Sequence, residues 1–451
     1  MKQFSNETMF YALSTSTRTK ILLFLIIAAA IFLRFYNLKY LEFNFDQAAN
    51  PLLAEQIIEN RGLPTQCLFS SIGICNPFFF LYLLVPPLLI SADPIFLTGF
   101  IAGINVLAVL ALFFFTKKFF GEIAALIASA LLAVNPWAII FSRTIWQQNV
   151  LILFIILFFW FLFNFAFDNK KTHLIWALLF FGIITQLHQL AIFFGLPLLV
   201  ILIIFRRQIV FKNLLLGFLL CLLLYLPFIV FEIKHDWFSL ENLITYSQTP
   251  AQLHTAALIF PFQMVSTAGL NYTFGLDEQN FWQTTLNWPV INFITILILA
   301  SGLLWLAWRR EPKYLMLLVW FLLLPLALIF SKTPLYPHYF ISGMPAGLLI
   351  LSIFFSNLIT NEIKILKYFF LVLFLFLVFY QTATSLAYLK FPVGRQCILG
   401  NHSQPYIYKL ENIKKILATG EKDFAKIHEQ SCSCPICIPL TTQYILEKVI
   451  K

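Results

Sequence analysis

Long uninterrupted apolar blocks constrain this chain more than any other feature. Each runs for roughly 17 to 25 residues, the length that about 30 Å of hydrocarbon demands of a helix rising 1.5 Å per residue. The first reads "ILLFLIIAAAIFLRFYNL", residues 21–38. No small-residue cleavage site follows it and it is long enough to span, so it reads as a retained anchor rather than a signal peptide. Strand-length alternation is absent, which disfavours an outer-membrane barrel. Only 11% of the 451 residues are charged and the mean hydropathy is +0.85, against about 25% charged residues in ordinary soluble domains. The fold class predicted is an all-α polytopic membrane protein.

A net charge of +10 in a soluble chain would suggest nucleic acid. Here the cations fall in short clusters between apolar blocks, so they report topology, and no nucleic-acid partner is expected. Twelve segments are candidate spans: 21–38, 78–92, 95–116, 121–140, 150–167, 174–187, 190–205, 212–232, 288–308, 313–330, 341–358 and 364–386. If all twelve crossed from a cytoplasmic N-terminus, Lys117 and Lys118 would lie outside and every later cluster would alternate wrongly. Removing one crossing repairs the pattern. The weakest segment, "NPFFFLYLLVPPLLI", is interrupted by Pro86 and Pro87, which remove backbone donors. Residues 78–92 are therefore predicted to be re-entrant or interfacial and backed by protein, since lipid cannot satisfy a broken backbone.

About eleven transmembrane helices remain, with Arg18 and Lys20, Lys117 and Lys118, Lys170 and Lys171, Arg206, Arg207 and Lys212, Arg309, Arg310 and Lys313, and Lys364 and Lys367 inside. Outside loops follow at 39–94, 135–149, 233–287 and 331–340. Residues 1–386 read as a transmembrane domain and 387–451 as a small extracytoplasmic, Cys-containing tail. Cys67 and Cys75 fall in the first outside loop, and Cys397, Cys432, Cys434 and Cys437 in the tail. Six outside thiols can pair in an oxidising compartment. The other reading of "CSCPIC", a zinc knuckle, lacks a matching second ligand pair.

Acids are scarce and none lies at the centre of a predicted span. Asp46 follows the first span and precedes "NPLLAEQIIEN", whose pattern predicts an amphipathic helix with Leu53, Ile57 and Ile58 on one side. At an interface between lipid and water it is placed to take a proton from a polar acceptor while the other reactant stays in the membrane. Its bland alternative is a helix cap, worth about 1 kcal/mol. In "NPWAIIFSRTIWQQNVL", Arg143 stands among Trp137, Trp146, Gln147, Gln148 and Asn149. A guanidinium beside indole holds phosphate well, and a snorkelling Arg in a Trp belt is the alternative. His188 sits at the outside end of a helix hairpin, as either a site residue or a satisfied structural one. "FEIKHDW" gathers Glu232, Lys234, His235 and Asp236 where a span emerges. "SKTPLYPHYF" carries Lys332, Tyr336, His338 and Tyr339, a set able to neutralise a leaving phosphate or to form an interfacial belt. No P-loop, dinucleotide fingerprint, metalloprotease or nucleophile-elbow motif occurs. No cofactor is called for, and the residues do not specify a divalent metal.

The order and spacing of "FNFDQA", "AEQIIENRGLP", "NPFFFLYLLVPPLLISADP", "KKFFG", "NPWAIIFSR" and "YPHYFISGMPAG" resemble the multi-pass GT-C glycosyltransferases. These include protein O-mannosyltransferases and the aminoarabinose transferases that act on lipid A. The likeness covers most of residues 20 to 350. It implies a GT-C-like fold and transfer of a sugar from a polyprenyl-phosphate-linked donor to a lipid, glycan or protein acceptor at the outer face of the membrane. Asp46 matches the family's first-loop acid, the expected general base of an inverting reaction. The family's "DE" is "DQ" here, with Gln47 as the second residue, and the second-loop acid of some relatives is replaced by Arg143, Gln147, Gln148 and Asn149. Arg143, Gln147, Asn149, His188, His235, Lys332, His338 and Tyr339 are then the candidates to bind the donor phosphate or substrate, with no metal site. A flippase of lipid-linked sugars is the alternative, since it would need the same lipid groove without a base.

Overall fold

A computed structural model describes residues 16–60, 62–400, 403–435 and 437–450. Each of the twelve predicted segments is helical. Six helices are long and apolar enough to cross a membrane: Pro94–Phe120, Gln147–Phe167, Phe211–Lys234, Pro289–Arg309, Pro337–Ile359 and Lys364–Lys390. Five more apolar helices are shorter, at Phe79–Leu88, Glu122–Val134, His173–Leu187, Gln189–Ile204 and Pro312–Leu328. The helix Thr17–Phe35 is 19 residues long and carries Arg18, Lys20 and Arg34. The protein is a helical membrane protein.

Starts and stops follow local chemistry. Asp93 accepts from the Ile95 amide at 2.7 Å to open the helix at Pro94. Asn135 does the same for Ala138 at 2.9 Å, with Pro136 in the first position, so "NPWAIIF" makes a short helix, Pro136–Phe141. Proline there loses no hydrogen bond, because the first amides of a helix have no internal partner. Phe79–Leu88 packs Phe80, Leu81 and Leu84 inward and, against the sequence reading, carries Pro86 and Pro87 within its last turn instead of being broken by them, with Leu89 and Ile90 exposed beyond its end. In the first-loop helix, Phe45–Glu59, Ile57 is buried but Ile58 is 38% exposed. The two adjacent residues lie about 100° apart on a helix, so the expected common face does not hold.

One end of the bundle gathers the predicted inside segments. Lys117 pairs with Glu122 at 3.6 Å, Lys118 with Asp168 at 2.6 Å, and Thr19 donates to Glu122. Lys313 reaches the Phe119 carbonyl at 3.4 Å, and Asn213 donates to the Lys171 carbonyl at 3.1 Å. Five basic segments far apart in sequence thus share one face, as the charge pattern predicts.

The opposite end carries the predicted outside loops and the tail. Two arginines tie it together. Arg34 is fully buried and donates to the Leu132 and Ala133 carbonyls at 3.1 and 3.0 Å, at the end of Glu122–Val134. Arg143 in turn donates to the Arg34, Tyr36 and Asn37 carbonyls at 2.8, 2.9 and 2.9 Å, closing the end of Thr17–Phe35. A cation at a helix C-terminus meets carbonyls that lack internal partners and the negative end of the dipole.

The tail forms its own small core on the first outside loop: Leu41, Phe43 and Ala48 pack with Tyr406, Leu410, Ile413, Tyr444 and Ile445. Three disulfides, Cys67–Cys75, Cys397–Cys434 and Cys432–Cys437, use all six cysteines predicted outside and leave Cys221 free. Gln252–Leu253 pairs antiparallel with Phe330–Ser331, joining the third and fourth loops.

Candidate functional site

A cavity of about 350 Å³ opens at the end of the bundle that carries the tail. The first loop contributes Glu42, Asn44, Asp46 and Gln47, and the second Ile140, Phe141, Thr144 and Trp146. Tyr272 and Thr273 of the third loop and Gly400, Ser403 and Ile438 of the tail complete it. No Lys, Arg or His is among these described lining residues.

Asp46 stands in the second position of its helix, behind Asn44 as N-cap. Asn44 and Gln47 form a capping box, with the Asn44 amide donating to Gln47 Oε1 at 2.9 Å. Gln serves this motif as well as Glu does, so Gln47 has a structural task that needs no charge. The helix cap is therefore supplied without Asp46, whose carboxylate accepts no hydrogen bond from the described residues. Burial raises its pKa above the usual aspartate value, although the helix N-terminus favours the anion. A desolvated, unspent carboxylate has the character of a base.

Glu42 is a second acid in the same cavity, and the sequence reading passes over it. Asn44 Nδ2 donates to Glu42 Oε1 at 3.0 Å. Burial is the main force lifting its pKa to about 8; the Asn44 bond opposes that and the Asp46 carboxylate adds to it. A signal exists in "LEFN": Leu41 and Phe43 are buried while Glu42 and Asn44 line the cavity, the two-residue alternation of extended chain. The backbone confirms it, because Glu42 bridges Pro405 and the Tyr406 amide donates to the Leu41 carbonyl at 3.0 Å.

The structure brings together some of the predicted site residues and separates others. His338 lies behind the cavity wall, its ring 4.7 Å from Trp146 and its Nδ1 3.1 Å from the Tyr272 hydroxyl. Tyr339 sits 4.6 Å from His338 and 5.9 Å from His188. Burial, helped by His188, pushes His338 well below the ordinary histidine range. Burial alone takes His188 to about 4, and its Nδ1 accepts from the Leu190 amide at 3.2 Å. Burial disfavours a charge on either ring.

Arg143, 4% exposed, spends three donors on the carbonyls named above. Asn149 donates to the Thr144 carbonyl at 3.1 Å and to its hydroxyl, while Asn105 donates to the Asn149 carbonyl at 2.8 Å. Gln147 is buried in the same turn. Lys332 donates to the Tyr246 and Ser247 carbonyls, at the end of the helix Phe238–Ser247. His235 stacks on Phe231 with ring centres 4.0 Å apart and lines a separate cleft with Gln66, Phe69 and Lys234. Glu232 caps Phe238–Ser247, accepting from the Ser239 amide at 3.1 Å and hydroxyl at 2.6 Å.

Among the described residues, one group of three potential metal ligands converges, His428, Cys432 and Cys437, with ligand atoms within 4.8 Å of one another. Its two sulfurs are bonded to each other, and a disulfide is not the thiolate that zinc takes.

Residues 77–231 match the dolichyl-phosphate-mannose-protein mannosyltransferase family. The chain is similar in structure to ArnT from Cupriavidus metallidurans bound to undecaprenyl phosphate, with a TM-score of 0.62, 13% identity, and coverage of 94% of this chain and 84% of that one. It is similar to the oligosaccharyltransferase of Archaeoglobus fulgidus in complex with zinc and sulfate, with a TM-score of 0.55, 17% identity, and coverage of 93% and 57%. It is also similar to AglB from the same organism in complex with an inhibitory peptide and a dolichol-phosphate, with a TM-score of 0.55, 15% identity, and coverage of 94% and 60%. No curated protein matches the chain in sequence. The fold is that of the GT-C membrane glycosyltransferases, and the sequence match falls within it. The chain thus shares its fold with these membrane enzymes and matches the protein mannosyltransferase family over residues 77–231.

Proposed function

We propose that the protein transfers a sugar from a polyprenyl-phosphate-linked donor to a lipid, glycan or protein acceptor at the outer face of the membrane. Asp46 is the general base and the reaction inverts at the anomeric carbon. The acceptor hydroxyl oxygen attacks that carbon, its proton passes to Asp46, and the bond to the phosphate oxygen breaks with its electron pair retained by the phosphate. About eleven helices cross, the N-terminus is cytoplasmic, and the site and the tail of residues 387–451 are extracytoplasmic. Phe79–Leu88, between the first-loop helix and the helix starting at Pro94, walls the lipid side of the donor groove.

The observation that carries this reading is the Asp46 carboxylate, free of hydrogen-bond donors among the described residues and facing a cavity built by three outside loops and the tail. Support comes from two neighbours of the same fold, one bound to undecaprenyl phosphate and one to a dolichol-phosphate and an inhibitory peptide. A flippase would need a polar path through to the basic end of the bundle. Toward that end the helices between the cavity and the basic face bury Phe113, Phe115, Phe159 and Trp320, a packed apolar layer that favours the transferase.

Incubation of the purified protein with a panel of radiolabelled polyprenyl-phosphate sugars tests the reading. Asp46→Asn folds as the wild type does and loses about 10²–10⁴ in transfer rate. Normal turnover by that variant with a verified donor and acceptor would refute the assignment.

A further inference from the structure

We propose that the cleft at the end of Phe211–Lys234 binds the headgroup of a zwitterionic phospholipid, with Lys234 on its phosphate and Asp236 on its ammonium. The proposal rests on the membrane reading of that helix and is independent of the transferase reading. The cleft has a volume of about 630 Å³ and shares no described lining residue with the Asp46 cavity. Gln66 and Phe69 of the first loop form one side, and Phe231, Lys234, His235 and Asp236 the other.

Helix length sets the depth of the cleft in the membrane. Phe211–Lys234 has 24 residues, about 36 Å at 1.5 Å per residue, against about 30 Å of hydrocarbon. It starts at the basic end of the bundle, where Asn213 donates to the Lys171 carbonyl at 3.1 Å. Lys234, its last residue, therefore emerges just past the hydrocarbon, in the layer of the headgroups. Leu223, Leu226 and Ile233 are exposed along it, and the next helix, Phe238–Ser247, exposes Leu240, Leu243 and Ile244 at the spacing of one helix face. The apolar surface that carries the acyl chains thus reaches the cleft itself. Ile233 adjoins Lys234, and Trp237, 47% exposed, adjoins Asp236. Tryptophan is a preferred side chain at this boundary.

Charge decides the class of headgroup. Lys234 and Asp236 are both exposed, and among the described residues neither belongs to an ion pair, with the other or with a third group. A headgroup that joins a phosphate to an ammonium gives each of them a partner. His235 adds an acceptor. Its Nδ1 lies 2.7 Å from the Phe231 carbonyl, which only accepts, so Nδ1 carries the proton and Nε2 is the acceptor of the neutral ring. A primary ammonium has three N–H donors for such partners, and Phe69, 59% exposed, offers an aromatic ring to the same cation. The walls are fixed by contacts of their own. Asn242 donates to the Gly73 carbonyl at 2.7 Å, the Cys75 amide donates to the Ser239 hydroxyl at 3.1 Å, and Phe69 meets Phe238 edge-on at 5.5 Å. A preformed cleft orders few groups when it binds. Asp236 and Trp237, which turn the chain between the two helices, have φ of 54° and 58°. That conformation is costly for residues other than glycine and recurs where a ligand is held.

Native mass spectrometry tests this on the purified full-length protein, stripped of lipid in detergent and titrated with phosphatidylethanolamine or phosphatidylglycerol. The chain carries a net charge of +10, so charge alone favours the anionic lipid. The cleft is expected to reverse that order and to take its first phosphatidylethanolamine about fivefold more tightly, the upper end for an exposed charge pair. Asp236→Asn is expected to remove the preference, and Lys234→Met to weaken the first binding of either lipid about fivefold. Lys422→Met, on the exposed part of the tail, is expected to change neither. Lys234 and Asp236 are exposed, so both cleft variants are expected to melt as the wild type does when no lipid is present. Equal or tighter first binding of phosphatidylglycerol by the wild type overturns the proposal. So does a preference that survives Asp236→Asn, or lipid binding that Lys234→Met leaves unchanged. Glycerophosphoethanolamine, the same headgroup without its chains, is expected to leave the lipid bound at equal concentration. Displacement by it would make the cleft a site for a soluble phosphodiester and overturn the lipid assignment. None of these measurements involves sugar transfer, so the cleft assignment and the transferase reading fail separately.

Discussion

Arg143→Met separates two meanings of the same residue. Methionine keeps most of the apolar stem and removes the guanidinium fork, which donates to the Arg34, Tyr36 and Asn37 carbonyls. The Asn37 carbonyl retains the Tyr40 amide at 3.1 Å, so two acceptors lose the donor that Arg143 gives them. At about 1–3 kcal/mol for each buried acceptor left unsatisfied, the loss is about 2–6 kcal/mol. An unfolding entropy of about 2.1 cal/mol/K per residue over 451 residues converts this to a fall of roughly 2–6 °C in melting temperature if the bundle melts as one unit. Arg143→Lys recovers part of it, since an ammonium is a point charge without the planar fork. The assay is thermal unfolding in detergent followed by tryptophan fluorescence, paired with donor saturation kinetics. The clamp holds the end of Thr17–Phe35, eleven residues before Asp46 in the first turn of the next helix, so kcat falls with the melting temperature while the donor KM changes little. A wild-type melting temperature combined with a tenfold rise in donor KM would refute this reasoning and make Arg143 a phosphate ligand.

The tail offers further tests. Cys434→Ser opens the loop closed with Cys397, 37 residues apart in sequence, and the chain-entropy account assigns that closure about 4 kcal/mol; limited proteolysis is expected to cut the tail faster while the helical bundle stays intact. Gly275 has φ +52° and packs on Gly400, and a Cβ there would collide with the Leu399 carbonyl oxygen. Gly275→Ala is therefore expected to lift the tail from the third loop and lower activity more than Gly62→Ala, whose φ is +93° but which has nothing within 4 Å. Equal effects of the two substitutions would mean that backbone strain alone acts at both.

The apolar blocks and the placement of cations made the helices and their grouping legible, because the bilayer imposes the same length and sign rules on every segment. The helix starts at "NPW" and "DPIF" follow equally local rules, although the span drawn at 121–140 ran through the first of them. The work of individual polar side chains was not. Arg143 and Tyr36 are separated by 107 residues, and nothing near "FSRTIW" distinguishes a guanidinium bound to carbonyls from one waiting for phosphate. Lys332 likewise reads as a free cation until the end of Phe238–Ser247 folds beneath it. Six cysteines permit fifteen pairings, so the three disulfides needed the tertiary structure. Gln47 read as a missing acid because its capping partner Asn44 is visible only once the helix start is known. Glu42 was passed over beside Asp46, although the alternation of "LEFN" placed it on the face that Leu41 and Phe43 do not occupy.

The positive charge near the site is spent one layer below the reacting surface. Arg34 and Arg143 neutralise helix ends, and burial disfavours a charge on His188 and His338. Among the described residues, what faces the cavity is two acids, the amides of Asn44 and Gln47, and the hydroxyl and indole groups of Thr144, Tyr272, Ser403 and Trp146. On the proposed reading, these described lining residues offer an anionic donor less attraction than an arginine-lined pocket would. The proposed donor arrives instead through its lipid, whose burial contributes about 0.8 kcal/mol per methylene. Once the phosphate is there, fixed neutral donors need little reorganisation as charge develops on it. That division explains why a chain so poor in charge places its few acids at a membrane edge: hydrocarbon delivers the substrate, and the acids are left to the proton.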